Sequence, residues 1–245
     1  MLQRELEKQG IRLFRWRSYL PLPLVPLLVP ALWDFGYPRG SYRLHLLWTA
    51  ACLTIGLAGL AIRAKAVGHA PEGTSGRTTR LQIADELNTT GLYSVVRHPL
   101  YVGNALMWLG VAVFPRSLWM VVASMLLFWL LYERIMFAEE AFLHRRFGGR
   151  YEEWAARTPA FIPRFSSWTP PALPFSLRTV LRREYSGLLA LVGLLAFAEG
   201  FGSWRAGIAL RPNLVLLVPL MVATATYLLL RTVKRRTRWL HVEGR

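Results

Sequence analysis

The sequence predicts an all-α integral membrane protein with about six transmembrane helices. First, 53% of its 245 residues are hydrophobic, and its mean hydropathy is +0.30. Second, the apolar residues come in long runs nearly free of charge, clearest in HLLWTAACLTIGLAGLAI (45–62) and SLWMVVASMLLFWLLY (117–132). Third, Lys and Arg gather on alternate connecting segments. A helix needs about 20 mostly apolar residues to cross the hydrocarbon core, fewer where its ends snorkel. Lipid leaves the backbone no partner outside its own helix. By this measure the spans are 18–34, 45–63, 98–114, 117–137, 185–201 and 212–230.

The first span, YLPLPLVPLLVPALW, carries Pro21, Pro23, Pro26 and Pro30. These favour a kinked or re-entrant segment. Basic residues precede it, as in a signal peptide, but its core is proline-broken and no small-residue cleavage pattern follows. The second span holds the lone Cys52, read as a small buried hydrophobe without a disulfide. A long loop follows at 63–97, in which TRLQIADEL (79–87) reads as a short amphipathic turn.

The loop leads into RHPLY at the head of the third span. Pro99 suits the first turn of a helix, where its missing N–H costs nothing. His98 before it is biased to extended backbone, which puts Arg97 and His98 at a helix mouth whose free amides favour an anion. Gly103 and Gly110 share one helical face and allow close approach of a helix or a ligand. The fourth span runs on past the bilayer as YERIMFAEEAFLHRRFGG, ending at a Gly148–Gly149 cap. Glu133 and Glu140 lie on one stripe with Glu139 beside them, which makes Glu140 the better placed of the glutamate pair. RYEEWAARTPAFIPRF then gives a short helix and a proline-braced strap. Helices three and four are joined by two or three residues, hence antiparallel, so the Arg–His–Tyr cluster and the glutamate pair face one space.

The net charge of +16 suggests nucleic acid, but its placement does not. Of the 30 Lys and Arg, all but Arg39, Arg43, Arg116, Arg205 and Arg211 fall on one side if both termini share it. Positive loops are retained in the cytoplasm, so both termini and the polar loops are expected there, against anionic headgroups. His45, His69, His144 and His241 are scattered and suggest no metal site. No Gly-rich phosphate loop, zinc spacing or hydrolase elbow occurs.

GLYSVVRHPLYVGN followed by EEAFLHRRFGGRYEEW and a proline resembles the isoprenylcysteine carboxyl methyltransferase superfamily, whose signature is RHPxYxG, a hydrophobic helix, then EE. Phospholipid methyltransferases share a degenerate version. The resemblance covers 91–163. It implies a membrane-embedded enzyme that takes S-adenosylmethionine from the cytosol and a lipid or lipidated acceptor from the bilayer. It points to Arg97, His98, Tyr101, Gly103, Glu139 and Glu140 as a cytoplasm-facing cofactor pocket, with no residue singled out as a catalytic acid or base. The chain then divides into N-terminal helices and loop (1–90), methyltransferase core (91–163), and a linker with two further helices (164–245). Arg150, Arg157 and Arg164 beside the strap are candidates for an anionic acceptor group, which favours O-methylation of a carboxylate or phosphate; a solvated basic face explains each of them alone. Phospholipid N-methylation, an NADPH-dependent sterol or isoprenoid reductase, and a non-catalytic lipid-binding protein remain as alternatives.

Overall fold

The computed structural model describes all residues except 72–83, 210, 238, 243 and 245; the expected turn at 79–87 falls partly outside the described residues. Among these, eight α-helices and no strands are present: α1 (Leu2–Trp16), α2 (Leu24–Ala31), α3 (Tyr42–Gly68), α4 (Pro99–Val113), α5 (Leu118–Phe147), α6 (Gly149–Arg157), α7 (Leu177–Arg205) and α8 (Leu214–Arg236). Among the described residues, four helices, α3, α5, α7 and α8, are long and apolar enough to cross a membrane.

The six expected spans therefore resolve into four long helices and two shorter apolar ones. The expected span 98–114 is the 15-residue α4, about 22 Å at 1.5 Å per residue and short of a hydrocarbon core of about 30 Å. The expected span 18–34 holds only the eight residues of α2, entered through a 3-10 turn and tight turns. Its prolines remove the N–H groups that a longer helix would need.

Conversely, α5 outruns its apolar window, and its 30 residues end at Gly148, whose φ of +54° suits glycine. The polar last turns of α5 are covered by α1, an amphipathic helix that buries Gly10 and Phe14. Arg134 Nε donates to Gln9 Oε1 (2.9 Å), and Arg145 pairs with Glu7 (2.6 Å).

Two glycine contacts seat α4 antiparallel on α3. A Cβ on Gly103 would stand 2.6 Å from the Gly59 carbonyl oxygen, and one on Gly110 would stand 2.6 Å from that of Cys52. This is the close helix approach expected of Gly103 and Gly110. An ion pair and a buried hydrogen bond tie α7 to α3, Arg63–Glu184 at 2.8 Å and His45 Nε2–Glu199 Oε2 at 2.7 Å. Their order along the chain makes α7 antiparallel to α3 and so parallel to α4. Cys52 is buried, as expected.

Candidate active site

The residues before α4 lie along the strap expected at the end of RYEEWAARTPAFIPRF (150–165) and along the residues that follow it to Thr169. The Gly91 amide donates to the Thr169 carbonyl (2.9 Å), Arg97 to Pro159 (2.8 Å), His98 to Ala160 (3.2 Å), and Arg164 back to Val95 (2.9 Å). Trp154 of α6 donates its indole N–H to the Tyr93 carbonyl (3.0 Å), and Arg97 Nη1 donates to Ala155 (3.3 Å). The segment is irregular in backbone yet well bonded, which fixes where Arg97 and His98 project.

Both reach α5. His98 Nε2 lies 3.0 Å from Glu140 Oε1, and Nδ1 lies 3.6 Å from Glu139 Oε2. Arg97 Nε lies 3.1 Å from the same Glu140 oxygen. The His98 and Tyr101 rings stack, centroids 5.5 Å apart and 17° from parallel. Burial of His98 would lower its pKa, but hydrogen bonds and charge from Glu139 and Glu140 outweigh that and raise it above the ordinary histidine value. The imidazole is thus a clasp between the two glutamates.

This cluster closes one end of a cavity of about 650 Å³, within the usual range for small-molecule sites. The cavity follows α4 from Arg97 to Val111, roughly 21 Å at helical rise. Its charged and aromatic end carries Arg97, His98, Tyr101, Glu139 and Arg183, and its far end is walled by Leu24, Met107, Trp108, Val111, Leu191 and Leu194.

The structure brings together most of the residues expected from the sequence. Arg97, His98, Tyr101 and Glu139 line the cavity. Glu140 does not; its carboxylate is engaged with Arg97 and His98 behind the wall. The stripe shared with Glu133 favours the other glutamate because it ignores which neighbour each one meets. Gly103 also stays off the wall, its face taken up by Gly59 and Arg63. Arg150, Arg157 and Arg164 are exposed, and none lines the cavity. Sequence reasoning missed Arg63, Asn104, Tyr132 and Glu184, all on the wall. The available signal was the placing of Arg63 and Asn104 within apolar spans, where polar groups are costly and tend to be functional.

Fold and cavity define an all-helical membrane protein whose pocket joins a charged, aromatic end to an apolar one. The model of a family described as phospholipid methyltransferase matches residues 49–150. The cobalt-zinc-cadmium resistance protein CzcN of Cupriavidus metallidurans is 31% identical over 76% of this chain and 79% of its own length. The nickel-cobalt-cadmium resistance protein NccN of Alcaligenes xylosoxydans xylosoxydans is 36% identical over 62% of the chain and 64% of its own length. The protein-S-isoprenylcysteine O-methyltransferase of Schizosaccharomyces pombe is 34% identical over 31% of the chain and 33% of its own length. No solved structure matches. The chain belongs to the isoprenylcysteine carboxyl methyltransferase and phospholipid methyltransferase superfamily of membrane methyltransferases.

Proposed function

We propose that this protein uses S-adenosylmethionine to methylate a carboxylate or phosphate oxygen of a lipidic acceptor, with the charged end of its cavity toward the cytoplasm. The observation that carries the proposal is the single cavity with a charged, aromatic end and an apolar end. The donor set fits the cofactor: a carboxylate on the wall for an ammonium or ribose hydroxyls, a guanidinium for a carboxylate, and an aromatic ring for adenine or a sulfonium. Arg97, His98, Tyr101 and Glu139 would hold it, within a core at 91–163.

When bound, the cofactor supplies a sulfonium methyl group, which an acceptor anion takes with release of a neutral thioether and no proton to move. The chain's own residues therefore need only bind, orient and exclude water. Glu139 offers acceptor oxygens to the cavity. Glu140 holds Arg97 and His98 in place from behind. The apolar walls accept a lipid tail and keep water from the reacting end. Phospholipid amine methylation is the second reading, favoured by the description of the matching family. Among the described residues, no group of three or more His, Cys, Asp or Glu side chains is placed to hold a metal ion.

In detergent, S-adenosylhomocysteine should raise the melting temperature and NADPH should not. Glu139→Gln should weaken that binding roughly ten- to a hundred-fold, the size of one lost hydrogen bond to a charged group; Glu140→Gln should weaken it less. Labelled methyl transfer into total lipid, with the products identified by mass spectrometry, then separates O-methyl esters from N-methyl products. Failure of wild-type protein to bind S-adenosylhomocysteine would sink the proposal, and label found on an amine nitrogen would move it to the second reading.

A further inference from the structure

Helix α7 lies outside the family match at 49–150, yet it walls one side of the cavity. From it the buried Glu184 accepts two hydrogen bonds from Arg63 of α3, from Nε and from Nη2, both at 2.8 Å. Arg63 Nη1 donates to Asn104 Oδ1 of α4 (2.7 Å), and Asn104 Nδ2 donates to the Tyr132 hydroxyl of α5 (3.0 Å). Four helices thus meet in one polar network. Its level is set by Tyr132, whose ring lies 5.1 Å from Tyr101 and 6.4 Å from Trp108. It therefore stands where the charged end of the cavity gives way to the apolar one.

A charge pair here is not explained by stability alone. Desolvating two ions offsets much of their attraction, and well-packed apolar side chains often do as well. The guanidinium is also not used up. It has five N–H donors; three serve Glu184 and Asn104, and the remaining two have no hydrogen-bond partner among the described residues. A guanidinium clamped along one edge, beside a tail-sized apolar chamber, is suited to an anionic head whose tail fills that chamber.

We propose that Arg63, oriented by Glu184 and Asn104, positions the anionic end of the acceptor, and that α7 thereby takes part in acceptor selection. This rests on the methyl-transfer reading, but its test is independent of the cofactor. Full-length protein in detergent is titrated with N-acetyl-S-farnesylcysteine and with its carboxamide, which keeps the tail and loses the anion. Wild type should prefer the carboxylate by roughly ten-fold or more, the size of a charge-assisted bond.

Arg63→Gln combined with Glu184→Gln removes both charges, so neither is left buried alone. It should abolish the preference while leaving affinity for the carboxamide and for S-adenosylhomocysteine unchanged. Arg63→Lys, which keeps the charge but not the fork, should retain part of the preference; it carries the comparison if the double variant does not fold. No preference in wild type, or a preference that survives loss of Arg63, overturns the proposal. Loss of S-adenosylhomocysteine binding in wild type would instead overturn the enzyme reading.

Discussion

His98 is 6% exposed, and the charged groups facing it are Glu139, Glu140 and, through Glu140, Arg97. Its pKa is raised in the folded protein, because the two carboxylates outweigh the burial. A raised histidine pKa contributes stability that is fully present below the unfolded value of about 6.5 and is lost as pH rises through the folded one. The melting temperature should therefore fall as pH climbs from about 6.5 upward, and His98→Asn should flatten that slope. An unchanged slope in the variant would place the titrating group elsewhere. RHPLY and the glutamate pair were legible because each motif is contiguous and the short link between α4 and α5 forces them together. The Arg63–Glu184 pair was not, since its members lie 121 residues apart and one sequence does not say which helices become neighbours.

Between elements, the contact of α3 with α4 depends on missing side chains. A Cβ on Gly103 would meet the Gly59 carbonyl oxygen at 2.6 Å and Arg63 Cγ at 2.5 Å, and the backbone oxygen has little room to yield. Gly103→Ala should cost on the order of 1–3 kcal/mol, as overpacking does, read as a lower melting temperature. Gly193→Ala, on α7 with nothing within 4 Å of its Cβ position, should be neutral or slightly stabilising. Equal effects at both sites would mean that α4 is not seated as described. Hydropathy located α3, α5, α7 and α8 because length and apolar content suffice for that. It overstated 18–34 because apolar content alone does not count the backbone donors that prolines remove.

Across the whole molecule, charge is divided between two ends. Arg205 lies over Trp33 and Arg211 over Tyr42, while Arg116 donates to the Gly36 carbonyl. These belong to the end of the bundle remote from His98, and the sparse arginines collect there. If the densely basic end is cytoplasmic, cysteines introduced at Ser41 and Arg236 should be labelled from opposite sides of an intact membrane. Labelling of both from one side would refute that topology. The buried Cys52 should stay silent in either case.

The two polar links between α3 and α7 also bear on how the chain is made. Glu184 and Glu199 lie 15 residues apart, about 22 Å along the helix axis, and their partners, Arg63 and His45, are synthesised more than a hundred residues earlier. A carboxylate released alone into lipid is costly, so α7 gains by leaving the insertion machinery only when α3 is beside it. The earlier helix would thus act as a waiting template during translation: a chain halted before residue 177 would hold Arg63 and His45 without their acids, as an open intermediate rather than a finished smaller protein.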